Sequence, residues 1–111
     1  MLYFTNFFEN TRSDWRPNVN VNKEEGSYVI TLDLPGLSRN DIDVEVEGRR
    51  LIVKANRIVN QWGTQRTLKM YESWDLTDSC NVEQLTAGYQ AGVLTIRVPM
   101  NEKIKRKIEV D

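Results

Sequence analysis

From Ile42 to Glu47 every second residue is apolar, with Ile42, Val44 and Val46 alternating against Asp43, Glu45 and Glu47. A strict period of two puts the branched side chains on one face of an extended strand and the carboxylates on the other. The same rhythm governs most of the chain. Tyr28, Ile30, Leu32 and Leu34 share one parity, as do Leu51, Val53 and Ala55, then Leu68, Met70, Trp74 and Leu76, then Leu94, Ile96 and Val98. Between these runs stand the turn formers Pro35 and Gly36, Gly48, a cluster at Asn60 to Thr64, and Gly92, while Pro99 stops the last run. No window of ten residues carries a clean helical period. Short strands with turns between them predict an all-β antiparallel sandwich. In detail, the strand begun at Leu51 is expected to close near Arg57. A turn-like stretch then covers Ile58 to Gln65, and a long strand runs from about Arg66 to Leu76.

A chain of 111 residues, 40% of them apolar, can bury one modest core. The expected organisation is a sandwich over residues 15–99, preceded by an aromatic arm over 1–14 and followed by an extension over 100–111. Fifteen basic against sixteen acidic residues leave a net charge of -1, which supplies no long-range pull toward nucleic acid or anionic lipid. No stretch approaches the roughly 18 consecutive apolar residues that a membrane helix needs. Neither nucleic acid nor membrane is therefore expected as a partner.

Several kinds of chemistry are also disfavoured. The chain has no histidine, and so lacks the commonest general base and the favoured zinc ligand. Its one cysteine, Cys80, cannot form an internal disulfide or a thiolate cluster. The six glycines make neither a phosphate-cradling loop nor a dinucleotide turn. The expectation is a non-enzyme with no cofactor and no metal. Asp43, Glu45 and Glu47 read as the wet face of a strand and Lys103, Lys105, Arg106 and Lys107 as a solvated linker. The opening residues Met1 to Phe8 lack a basic stretch and run into Glu9, Asn10 and Arg12, unlike a signal peptide, so the expected location is cytoplasmic.

Over roughly Trp15 to Val110 several local patterns resemble one family, the small heat shock proteins, built on the Hsp20 or α-crystallin domain. The resemblance is carried by Pro17, Val19 and Val21, then by Leu34-Pro35-Gly36 followed by Asp41, Ile42, Val44 and Val46, and then by Leu51, Val53 and Arg57. Its most specific part is Ala87 to Leu94, which resembles the family signature of alanine, four residues, then glycine, valine and leucine; Pro99 follows. Ile108-Glu109-Val110 is similar to the family's tail motif of isoleucine, any residue, then isoleucine or valine.

The resemblance implies an immunoglobulin-like sandwich and an ATP-independent holdase that binds unfolding proteins and assembles from dimers into a dynamic oligomer. It also implies that Ile108 and Val110 enter a groove between two strands of one sheet of a neighbouring copy, drawing on Val44, Val46, Leu85, Ala87 and Leu94. Leu2, Tyr3, Phe4, Phe7 and Phe8, whose spacing lets several share a helical face, become candidates for holding clients or for arm contacts. Trp62, Met70, Glu72 and Trp74 become dimer-interface candidates. A second reading is a sandwich-type co-chaperone adaptor that docks onto an ATP-driven chaperone.

Three departures bear on this reading. Glu72 reverses the charge of the family's usual arginine, and its parity with Met70 and Trp74 turns it toward the apolar side, where a basic partner, even from another subunit, is expected. Ala91 replaces the usual asparagine or aspartate. Only twelve residues separate Arg57 from Met70, which leans toward a dimer made by pairing one long strand with its copy rather than by a swapped excursion.

Overall fold

A computed structural model describes residues 2–5, 13–101 and 107–111. Among the described residues there are eight strands: β1 (Leu2–Thr5), β2 (Val19–Glu24), β3 (Ser27–Asp33), β4 (Ile42–Glu47), β5 (Arg50–Gln61), β6 (Thr64–Leu76), β7 (Thr86–Gln90) and β8 (Val93–Pro99). Two short 3-10 turns, Arg39–Asp41 and Val82–Gln84, link strands that change sheet. One sheet has the order β1-β6-β5-β4 and the other β2-β3-β8-β7, every neighbouring pair antiparallel. This is the all-β sandwich that the alternation predicts, and β4 and β7 end as edge strands of opposite sheets.

The register explains the core. Leu51 pairs with Trp74, Val53 with Glu72 and Ala55 with Met70, so all six side chains share the inner face of the first sheet. On the other sheet Ile30 pairs with Ile96 and Leu32 with Leu94, and these four are fully or almost fully buried. Burial of each such side chain contributes on the order of 1.5–3 kcal/mol. Cys80 is buried against Met100, to which it also forms an isolated bridge. The loop that carries it is held by the Arg49 guanidinium, which donates to the carbonyls of Leu76 (3.2 Å), Cys80 (2.6 Å) and Thr77.

The largest correction to the expected strands lies between β5 and β6. The stretch Ile58 to Gln65 is ladder rather than turn, paired from Ile58 with Thr67 to Gln61 with Thr64, and the reversal is confined to Trp62 and Gly63. Both turn residues have positive φ, 53° and 73°, the left-handed pair whose twist matches a two-residue hairpin. Polar side chains concealed this strand because the backbone ladder needs no alternation where neither face is buried.

The β7–β8 hairpin turns in the same way through Ala91 (φ 52°) and Gly92 (φ 79°). Gly92 also abuts Pro35, whose Cα would lie 3.2 Å from any added Cβ. Ala91 holds a left-handed conformation that costs an alanine on the order of 1 kcal/mol and suits asparagine better. Ala91→Asn is therefore expected to stabilise the fold by about 0.5–1 kcal/mol. Chemical denaturation should show a raised midpoint with an unchanged slope.

Candidate functional site

β4 and β7 flank an open side of the sandwich, and between them runs a groove of about 430 Å³ lined by Arg39, Ile42, Val44, Ala87, Gly88, Tyr89 and Leu94. Ile42 and Val44 reach it by the strand alternation that sends Asp43 and Glu45 outward to solvent. Ala87 and Tyr89 reach it from β7, and Gly88 leaves open space where any other residue would carry a Cβ. The Tyr89 hydroxyl donates to the Leu34 carbonyl, which fixes the ring as a wall of the groove. The result is a trough with Ile42, Val44, Ala87, Tyr89 and Leu94 in its walls and Arg39 among its lining residues.

Three of the expected groove residues, Val44, Ala87 and Leu94, line this trough. Val46 is exposed farther along β4 and Leu85 packs against the core, so neither belongs to the lining. The groove also lies between edge strands of two sheets, which corrects the expectation of two strands in one sheet. Sequence reading missed Ile42, Gly88 and Tyr89, although Ile42 shares the parity of Val44, and Tyr89 that of Ala87. Arg39 carried no signal at all, because a turn of the backbone brings it there.

The tail lies apart from the groove of its own chain. Residues 107–111 adopt no regular structure, with Ile108 71% and Val110 96% exposed. At the other terminus Leu2–Thr5 forms a strand along β6, pairing Leu2 with Leu76 and Thr5 with Ser73, in place of the helical face expected for Leu2, Tyr3 and Phe4. Phe7 and Phe8 lie outside the described residues. Farther along the same strand, the Ser13 hydroxyl accepts from the Tyr71 amide (2.9 Å) and donates to its carbonyl (2.8 Å). The Asp14 carboxylate accepts from the Lys69 amide at 2.8 Å.

Of the four dimer candidates only Trp62 is on the surface, 92% exposed at the tip of the β5–β6 hairpin, with Ile58 63% exposed nearby. Met70, Glu72 and Trp74 face inward from β6 and are buried within the chain's own sandwich, because inner parity on this strand points at the opposite sheet. Glu72 is 1% exposed, and its Oε2 has no hydrogen-bond partner among the described residues. Burial pushes its carboxyl above the ordinary value of 4.5, and the positive charge of Arg16 offsets part of that rise. The positive charge acting on Glu72 thus comes from the same chain.

Comparison with known proteins identifies the fold's owner. Residues 20–111 match the Hsp20/alpha crystallin family. The chain belongs to that family. Its relatives include an 18 kDa heat shock protein of Streptomyces albus G, 36% identical over 93 residues that make up 77% of this chain and 65% of that protein. The 16.9 kDa class I heat shock protein 1 of Triticum aestivum is 30% identical over 111 residues, covering 92% of this chain and 70% of the wheat protein. A solved small heat-shock protein from Xylella fastidiosa superposes with a TM-score of 0.75 at 27% identity, covering 89% of this chain and 99% of that one. The corresponding figures for hspA from Xanthomonas axonopodis are 0.67, 26%, 79% and 96%. Family membership supports a chaperone role rather than an enzymatic one.

Glu72 generates a prediction of stated sign. Its folded-state pKa lies above its unfolded value, so the folded protein holds the extra proton, and stability falls as pH rises from about 4.5 through the raised value. Glu72→Gln is expected to stabilise the protein by about 1–2 kcal/mol at pH 7, the cost of a buried charge with one unsatisfied oxygen. The gain should vanish toward pH 4.5 in thermal melts of both proteins over that range.

Proposed function

We propose that this protein is an ATP-independent holdase that captures unfolding proteins and assembles from dimers into a dynamic oligomer in the cytoplasm. The observation that carries this reading is a mismatch within one chain: an open apolar groove between β4 and β7, and an exposed Ile108 and Val110 that do not fill it. A second copy satisfies both. Ile108 and Val110 stand on one side of an extended segment, spaced to enter adjacent parts of such a trough.

Burial of the two side chains is worth about 1.5–3 kcal/mol each, and ordering the tail removes much of it. A single tail contact is therefore weak and opens readily. Several such contacts on tethered subunits add through effective concentration, giving an assembly that persists while its subunits exchange and uncover apolar surface. Unfolding clients then meet the exposed grooves and the residues of the arm, Leu2, Tyr3, Phe4, Phe7 and Phe8. The hairpin tip with Trp62 and Ile58 is the proposed dimer contact, since a side chain as large and exposed as Trp62 gains most from a partner.

A net charge of -1 gives no reason to add nucleic acid to the partners, and among the described residues no helix is long and apolar enough to cross a membrane. The adaptor reading has no comparable observation behind it.

Light scattering from a heat-labile client, warmed without nucleotide, tests the proposal. Suppression at near-stoichiometric amounts is expected, with at least part of it lost on deletion of residues 1–8 or 108–111. Undiminished scattering beside the intact protein would overturn the holdase reading in favour of the adaptor.

A further inference from the structure

The edge of β6 that faces away from β5 is closed by the chain's own first residues, in two pieces of different kind. Tyr71 and Lys69 show which backbone groups face that edge. The Tyr71 amide and carbonyl both meet the Ser13 hydroxyl, and the Lys69 amide meets the Asp14 carboxylate, while the Lys69 carbonyl accepts from the Asp14 amide at 2.6 Å. Leu76, of the other parity, turns its amide the opposite way, to the Arg49 carbonyl (2.8 Å). Successive residues of an antiparallel strand point their N–H and C=O to alternate sides. Gln65, Thr67, Ser73 and Asp75 therefore face the same edge as Lys69 and Tyr71. Ser73 and Asp75 meet β1, opposite Thr5 and Tyr3. Gln65 and Thr67 have no strand beside them on this edge among the described residues.

We infer that this edge of β6 is a strand acceptor for unfolding proteins, and that β1 is the occupant it holds in cis until an extended apolar segment of a client displaces it. The incoming segment pairs with Ser73 and Asp75; by displacing the Ser13 and Asp14 side chains as well, it runs on beside Lys69 and Tyr71 toward Thr67 and Gln65. The inference rests on the holdase reading above and gives the client a docking strand. Three observations favour it. β1 is only four residues long and lies at a terminus, where a short edge ladder opens most readily. Its sequence, Leu-Tyr-Phe-Thr, is the apolar and aromatic kind that an unfolding protein uncovers, and strand addition draws its affinity from main-chain bonds that any extended segment makes. The neighbouring caps are side chains imitating a strand, so an intact backbone replaces them bond for bond. A second folded copy fits this edge less well, because its own β6 is capped in the same way.

The probe is a fluorescein-labelled peptide of the sequence Leu-Tyr-Phe-Thr, flanked by lysines for solubility, added to the full-length chain and read by fluorescence polarisation. Tyr3→Pro removes a ladder donor from β1 and is expected to raise the peptide's affinity by about three- to tenfold, since the edge is then no longer held by its own strand. Ser13→Ala with Asp14→Ala opens the edge independently, at Tyr71 and Lys69, and is expected to act in the same direction. Hydrogen exchange locates the contact: the Ser73 and Asp75 amides are slow in the parent, fast in Tyr3→Pro and slow again with peptide, while the β8 amides stay protected throughout in an intact sandwich. If neither opening strengthens binding, or if protection arises on β4 or β7 instead, the inference is overturned. A peptide N-methylated at its Tyr and Thr should bind the parent at least about tenfold more weakly; equal binding means that side chains rather than a ladder hold it, and sinks the strand acceptor. A peptide-free Tyr3→Pro protein that sediments as larger species than the parent gives the edge to a second copy and overturns the client assignment. Excess peptide should also weaken the parent's suppression of light scattering from a heat-labile client. Suppression that the peptide leaves intact overturns this inference alone, whereas a parent that suppresses nothing overturns the holdase reading and the inference with it.

Discussion

The pairing of β5 with β6 is the constraint on which the other features of this molecule depend. It runs unbroken from Arg50 opposite Asp75 to Gln61 opposite Thr64. At its inner end it sets Leu51 against Trp74 and Ala55 against Met70, which together form one wall of the core. At its outer end it carries Trp62 away from the sandwich on a two-residue turn. A shift of one residue in this register would turn Trp74, Glu72 and Met70 outward and expose half of the core. The far edge of β6 receives both β1 and the hydrogen bonds of Ser13 and Asp14. The single hairpin therefore organises the core, the arm and the proposed dimer contact.

Glu72 shows what that register imposes. A carboxylate on the inner face cannot avoid the interior, and Val53 opposite it offers no donor. Arg16, near the start of the sandwich, supplies a partly compensating field, so the cost of a charge that looks misplaced along β6 is reduced, not removed, by a residue more than fifty positions earlier. The groove has a related origin. Because β4 and β7 are edges of different sheets, their inner side chains have no further strand to cover them, and Ile42, Val44, Ala87 and Tyr89 stay partly open to solvent. A strand's own alternation prepares a docking surface wherever the sheet ends.

Much of this was legible without coordinates where one face of a strand is buried. Ile42 to Glu47, Leu94 to Val98 and Tyr28 to Leu34 announce their strands and their inner faces, since alternation is the direct imprint of a half-buried pleat. Val44, Ala87 and Leu94 could be placed at the groove on the family resemblance. The outer half of the β5–β6 hairpin was not legible, because with both faces wet nothing demands alternation, and Trp62 looks no different in sequence from a core tryptophan. Tyr89 and Gly88 were missed for a related reason: side chains that line a trough carry the same pattern as those that fill a core.

The sequence by itself determined the class of fold, the inner face of the half-buried strands and the family, all of which follow from local periodicity or from short motifs. Only the tertiary structure decided that Glu72 is buried within the field of Arg16, that Met70 and Trp74 are core rather than interface, and that the groove lies between two sheets with Arg39 in its lining. Each of these depends on which strands become neighbours and which become edges. Neighbour relations arise from long-range pairing, and alternation along a strand is blind to what packs against it.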